Sequence, residues 1–273
     1  MRLRALAAGA LALVLLTGCA QSVDPIERLG AKAAQRVRAH GPGGAAERPY
    51  RRWGLTAPLL PAPKPSRAPG AGTETDGRAL PPVVSRVPTR DKVVFLTYDD
   101  GAEKDPRFVD MVRELRLPVS MFLTDRVAGP GHRRFARLQS AGASIQNHTL
   151  GHPALRGLPY AGQRAQICGQ QDRLRSRFGR HPRLFRPPYG TYDTATLRAA
   201  ADCGISALVL WRVSMTGDGD LTYPRGRHRL RPGDIVAVDP DGGSGPTLRE
   251  RTARLLRRVQ GQGLTVGRLE DYV

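Results

Sequence analysis

Five short segments hold side chains able to do chemistry together. They are Thr97-Tyr98-Asp99-Asp100-Gly101, His148-Thr149-Leu150-Gly151-His152, Arg186-Pro187-Pro188-Tyr189-Gly190, Trp211-Arg212-Val213-Ser214 and Val236-Ala237-Val238-Asp239. Adjacent carboxylates leaving a strand point in different directions, so Asp99 and Asp100 can divide two jobs, one binding a metal and one moving protons. The plain alternative is a solvated acidic turn ahead of Gly101. His148 and His152 are four residues apart, a spacing that puts both imidazoles on one side of a helical turn or tight loop, suited to a single metal ion. The alternatives are a chance pair or core histidines. Thr149 follows the first His, where the zinc-protease helix pattern requires Glu, so that pattern does not apply.

Asp100, His148 and His152 together make a two-His, one-carboxylate set with open positions. Such a set suits Zn²⁺, which activates water and polarises a carbonyl. It also suits non-haem Fe(II) oxygen chemistry. Arg186 precedes two prolines, which stiffen its backbone, and its guanidinium can hold Asp99 in a bidentate pair that keeps the carboxylate ionised and oriented as a base. Otherwise Arg186 is a surface cation.

Each segment begins where a run of strand character ends. Strands are expected at Val93–Leu96, Val119–Leu123, Ala143–Gln146, Leu184–Phe185, Ser206–Trp211, Asp234–Val238 and Leu264–Val266, and helices at Asp105–Leu117, His132–Ala141, Tyr160–Phe178, Thr194–Ala201 and Pro246–Gly261. Strands alternating with helices imply a parallel sheet covered by helices. The number of units favours closure into a barrel, and parallel βα barrels gather functional groups at the C-terminal ends of their strands. Residues far apart in sequence then meet over the barrel mouth.

With the motifs in this order, residues 91–273 resemble the NodB-homology polysaccharide deacetylases, carbohydrate esterase family 4. Thr97-Tyr98-Asp99-Asp100-Gly101 is similar to the family's Thr-Phe-Asp-Asp-Gly. His148 to His152 matches its His-Ser/Thr-x-x-His, and Arg186 to Gly190 its third motif. The resemblance implies an α/β fold, a distorted (β/α)7-type barrel, with a divalent metal, most often zinc, and hydrolysis of acetyl groups on a polysaccharide. By position, Asp99 is then the base, Asp100, His148 and His152 hold the metal, and Arg186 orients Asp99. Pro188 and Tyr189 lie against substrate, and the Tyr189 amide helps stabilise an oxyanion. Trp211 either walls the acetyl pocket or is a core Trp.

Two positions depart from the family pattern. Arg212 and Ser214 stand where acidic residues flank the Trp. Asp239 stands where a Leu-x-His motif provides the general acid. An imidazolium donates a proton near neutral pH, whereas an unperturbed Asp, with a pKa of about 3.9, is ionised there. A neighbouring Asp99 would favour protonation of Asp239, and a nearby cation would oppose it. Loss of a general acid costs roughly 10²–10⁴-fold in rate. The expectation is a bound metal with slow hydrolysis or none, the second reading being a weakened relative that serves as a glycan-binding module. His181 and His228 lie away from the expected strand ends and are poor substitutes for the acid.

The rest of the chain bears on location. Residues 1–18 read as a signal peptide, with Arg2 and Arg4 before an apolar run from Ala5 to Leu16, too short to span a bilayer. Leu16-Thr17-Gly18-Cys19 resembles a bacterial lipobox, making Cys19 the lipidation point; the alternative is an ordinary secretory signal. Residues 19–90 read as a mostly disordered tether, with some helical character from Asp24 to His40 and then a stretch rich in Pro, Gly and Ala. This places residues 91–273 outside the cytoplasmic membrane, anchored to its outer face or secreted. Cys168 and Cys203 are then expected to form a disulfide in an oxidising compartment, the alternative being two buried thiols. The formal charge is +19 and mostly Arg. The arginines are scattered, and neither a helix-turn-helix nor an RNA-binding or zinc-finger signature accompanies them, so coding bias explains them better than nucleic acid does. The expected partners are an acetylated polysaccharide and, through the lipid, a membrane, with the protein acting as a monomer.

Overall fold

The computed structural model describes residues 48–65, 73–75, 78–239 and 245–273. Cys19, the apolar run before it and the expected helix from Asp24 to His40 lie outside the described residues. The described residues belong to a unit spanning Glu47–Val273.

The strands are β1 (Thr73–Thr75), β2 (Arg78–Leu80), β3 (Val83–Val84), β4 (Val93–Asp99), β5 (Val119–Leu123), β6 (Ser144–Asn147), β7 (Leu184–Phe185), β8 (Ala207–Val209), β9 (Val213–Met215), β10 (Leu221–Thr222), β11 (Ile235–Val238) and β12 (Thr265–Val266). The main sheet runs β10-β9-β11-β4-β5-β6-β7-β8-β3, with β12 beside the start of β4. Its neighbours are parallel except for the β9–β10 hairpin. Val93 to Tyr98 and all of β5 are buried, the near-continuous apolar pattern of strands covered on both faces.

The sheet curls into a half-barrel whose open side is crossed by the chain after β3. Arg86 bridges to Asp234, and the Val87 amide donates to the Gly233 carbonyl at 2.8 Å. Gly233 has φ +82, and a Cβ there would sit 2.0 Å from the Val87 carbonyl oxygen, so only glycine permits the crossing.

The folded unit therefore reaches further upstream than residue 91. β3 belongs to the sheet, Trp53 and Leu55 join the main core, and the Trp53 indole N–H donates to Glu114 at 2.8 Å. The Tyr272 hydroxyl donates to the Pro63 carbonyl at 2.5 Å. These apolar residues are isolated among prolines and arginines without helix or strand periodicity, so their sequence reads as spacer. They are buried because the barrel supplies the surface they cover.

Among the described residues, the five longer helices pack around the sheet: Phe108–Glu114, His132–Ser140, Tyr160–Phe178, Thr194–Asp202 and Leu248–Gly261. The last two start with capping boxes, Asp193 with Thr196 and Thr247 with Glu250, which satisfy otherwise orphaned amides. Cys168, on the longest helix, is disulfide-bonded to Cys203, just past the end of Thr194–Asp202. Two buried glutamines on the longest helix act as ties. Gln170 donates to the Leu123 carbonyl at 2.6 Å, and Gln171 to the Pro182 carbonyl at 2.9 Å.

Candidate active site

Asp99 ends β4, and the Asp100 amide donates to Phe122 O of β5. His148 immediately follows β6, Arg186 follows β7, Trp211 follows β8 and Asp239 follows β11. The five segments thus meet on one face, at the C-terminal ends of the strands.

Arg186 is wholly buried, and its planar group is fixed on every side. It donates to Asp99 Oδ1 at 2.6 Å, to Thr97 Oγ1 at 2.8 Å and, through Nε, to the Val209 carbonyl at 3.2 Å. Its guanidinium carbon lies 4.3 Å from the Phe122 ring centre and 5.4 Å from that of Trp211. Asp99 is held by a single oxygen rather than by a fork. Its Oδ2 stands 3.9 Å from His148 Nε2, and its side chain stays 30 % exposed. A carboxylate so placed is oriented and reachable.

His148 is buried and lies 2.7 Å through Nδ1 from the Arg186 carbonyl. The carbonyl can only accept, so Nδ1 carries the proton and Nε2 presents a lone pair. Burial favours the neutral ring and lowers the His148 pKa, outweighing the opposing pull of Asp99. Burial likewise lowers that of His152, with the Arg126 charge acting in the same direction. The two Nε2 atoms lie 3.1 Å apart. Two bonds of about 2.0–2.1 Å to one zinc ion, meeting near the tetrahedral angle, place their nitrogens at about this separation. The donor chemistry and this spacing therefore fit a metal.

Asp100 is less committed than the histidines. Its two oxygens accept from the Thr124 amide at 2.9 Å and the Thr124 hydroxyl at 2.7 Å. Burial raises its pKa against those hydrogen bonds. A carboxylate has about four lone-pair sites, so these bonds orient Asp100 without exhausting it. Among the described residues, no three His, Cys, Asp or Glu side chains are drawn into a preformed cage.

Backbone strain concentrates here. Of the four described non-glycine residues with positive φ, three belong to the site, Thr149 (74°), His152 (63°) and Tyr189 (59°), and the fourth is Arg116 (48°). Such conformations cost about 1–3 kcal/mol each and persist where the surroundings impose them. The Thr149 amide is held by Asn147, the Gly151 amide by Gln166 and the His152 amide by the Thr149 hydroxyl, at 2.9–3.0 Å. The Tyr189 ring is exposed and meets His152 edge-on at 4.8 Å, while Pro188 is buried beneath it. Trp211 is half-buried between Arg186 and Gly190. Thr124, Asn147 and Gln166 lie outside the segments read from the sequence, and Thr97 lies inside one but without an assigned role. Each is an ordinary polar residue whose role comes from a partner on another element or a later turn.

Arg212 is exposed. Val238 is in register with Tyr98 across the parallel β11–β4 pair, so Asp239 emerges beside Asp99. It is exposed, and its amide donates to Met215 O at 3.0 Å. His181 lies instead in a cavity with Ser144, the residue that begins β6, at the opposite end of the strands from this site.

Comparisons with known proteins follow the same pattern. The polysaccharide deacetylase family model matches residues 86–208, a span that contains Asp99, Asp100, His148, His152, Arg186 and Tyr189 but stops short of Trp211 and Asp239. An uncharacterized protein of Streptomyces coelicolor is 67 % identical over 197 residues, covering 72 % of this chain and 79 % of that one. A chitooligosaccharide deacetylase of Sinorhizobium fredii is 29 % identical, covering 61 % and 83 %. In fold, the chain is similar to a CE4-family pseudoenzyme of Bacillus anthracis, with a TM-score of 0.60 at 20 % identity over 72 % of this chain and 70 % of that one. A mutant of that pseudoenzyme with restored enzymatic activity has the same TM-score at 22 % identity, covering 72 % of each chain. The motif residues, their convergence at the strand ends and these likenesses agree: the chain belongs to the polysaccharide deacetylase family, whose enzymes act on carbon–nitrogen bonds other than peptide bonds and which also includes pseudoenzymes.

Proposed function

We propose that the protein is an exported, lipid-anchored deacetylase that removes acetyl groups from amino sugars of a cell-envelope polysaccharide, peptidoglycan or chitin-like, at a reduced rate. The observation that carries this reading is the grouping of Asp99, Arg186, His148 and His152 at the strand ends. A zinc ion held by His148, His152 and Asp100 supplies Lewis acidity when bound. Arg186 fixes Asp99 through Oδ1 and leaves Oδ2 to take the proton of the attacking water. The Tyr189 amide donates toward the carbonyl oxygen as charge develops there, and the Tyr189 and Trp211 rings bound the acetyl site. Asp239 occupies the position from which the leaving amine receives its proton, and a carboxylate beside Asp99 does this poorly. Cys19 provides the lipid anchor at the outer face of the cytoplasmic membrane.

The Asp239–Asp99 juxtaposition also favours a second reading, a glycan-binding module that has lost turnover. The fold likeness to a pseudoenzyme is in keeping with it. Acetate release from acetylated chito-oligomers and peptidoglycan fragments with Zn²⁺ or Co²⁺ separates the two readings. Slow release in wild type, none in Asp99→Ala and a gain in Asp239→His support the enzyme. Equal background in wild type and Asp99→Ala rejects turnover of those substrates. Metal analysis of the purified chain finding iron in place of zinc would reject the zinc assignment. Retention of Cys19→Ser in the membrane fraction would reject the anchor.

A further inference from the structure

The arginines look scattered in the sequence, but the fold gathers three of them beside the candidate site. Arg126, Arg133 and Arg134, with Val127, Pro130 and Gly131, line an open cavity of about 610 Å³, and its lining contains no carboxylate. All three arginines are exposed. Asp125, next in sequence to Arg126, is ion-paired with Arg177 on the longest helix, so its charge is already directed elsewhere.

The cavity adjoins the strained histidine loop. Arg126 lies in the short helix Asp125–Ala128 directly after β5, and its amide donates to the Leu150 carbonyl at 3.3 Å, two residues before His152. Pro130 and Gly131 then lead into the helix His132–Ser140, on which Arg133 and Arg134 lie, so the cavity is set by two helices rather than by a free loop. The Gly131 amide donates to the Val127 carbonyl at 3.0 Å, which closes the turn between them.

We infer that this cavity receives an anionic substituent, a carboxylate or phosphate, of the same glycan whose acetyl group lies against His148 and His152, so that the substrate is an acidic amino-sugar polymer. The inference rests on the deacetylase reading above and narrows its substrate class. Guanidinium groups form planar, paired hydrogen bonds with carboxylate and phosphate. Arg126 and Arg133 put two exposed guanidinium groups at one opening, a field that an anion relieves. A neutral chitin-like chain offers the arginines only hydroxyl and amide oxygens, which water matches.

The test is titration calorimetry of the full chain with matched N-acetylated amino-sugar oligomers. One set is neutral, one carries a carboxylate ether and one a phosphate monoester, each at low and high salt, with acetate release followed in parallel. Wild type is expected to bind an acidic set roughly tenfold more tightly than the neutral one, an advantage of the size expected for exposed charge-assisted pairs, and high salt should shrink it. In the double variant Arg126→Gln/Arg133→Gln the ratio should approach one. Both side chains are exposed, so the variant keeps the fold, which circular dichroism checks. The acidic set with the greater advantage identifies the substituent. Equal wild-type affinity for neutral and acidic oligomers overturns the inference, as does an acidic preference that survives in the double variant. Acidic preference without acetate release leaves the inference standing and removes the catalytic reading. Acetate release from neutral oligomers with no acidic preference does the reverse.

Discussion

Arg186 ties the site together more than any other side chain. It carries the Asp99 contact, reaches Thr97 and the Val209 carbonyl, and lies between the Phe122 and Trp211 rings. A lysine has the charge but neither the plane nor the several directed donors. Arg186→Lys is therefore expected to lower kcat by about 10²-fold, the typical cost of a mispositioned catalytic group, with little change in KM. Steady-state kinetics on a released-acetate assay checks this, and an unchanged kcat would remove Arg186 from the orienting role. At this scale the sequence was informative about identity. The His148–His152 spacing, the Asp99-Asp100 pair and an Arg before two prolines all named residues that the structure brings together. The hold of Thr124 on Asp100 was not legible, because Thr124 follows a different strand, β5, and threonines are common.

At the scale of elements, the helices hold the site through their ends and ties. Asp193 caps Thr194–Asp202. Partial burial raises its pKa, but donation from the Gly157 and Thr196 amides, the Gln163 amide group and the Thr196 hydroxyl outweighs this and brings it down from 3.8 to about 2. A folded-state pKa below the unfolded one stabilises the fold above the unfolded value, and that stabilisation fades as pH falls through the folded value. Urea midpoints of wild type should thus fall between pH 3.8 and about 2, and Asp193→Asn should flatten that part of the curve. The Cys168–Cys203 bond joins two helices across 35 residues. By loop-closure entropy it contributes about 3–4 kcal/mol. The Cys168→Ser/Cys203→Ser variant should lose that much in denaturant unfolding, while an unchanged midpoint would show that the packed helices alone suffice. Several boundaries, such as Val119–Leu123 and Tyr160–Phe178, were readable because their apolar residues follow strand or helix periods. β3 and the β9–β10 hairpin were not, since two- and three-residue strands carry too little pattern.

Across the whole molecule, the main departure from the sequence reading is the region upstream of residue 91. Trp53 is 8 % exposed in the main core, and its indole donates to Glu114. Trp53→Ala should cost about 3–5 kcal/mol, as for other large buried aromatics, measured by denaturant midpoint. A loss of a few tenths would show that the segment rests on the barrel without stabilising it. The crossing of Val87 over Gly233 gives the half-barrel its closure, and it depends on a glycine and a carbonyl far apart in sequence. The same folding turns scattered arginines into a basic cavity whose Arg126 backbone is tied to the histidine loop at Leu150.

The sequence alone determined the family, the alternation of strands and helices, and the side chains able to act as base, ligands and clamp, because these follow from residue type, local period and short spacing. Only the tertiary structure decided the pairing of Asp99 with Arg186 by one oxygen, the 3.1 Å approach of the histidine nitrogens and the placement of Asp239 beside Asp99. It also decided that the upstream segment belongs to the fold. Each of these depends on the register between strands distant in sequence and on burial against surfaces made by other elements, which local patterns do not encode.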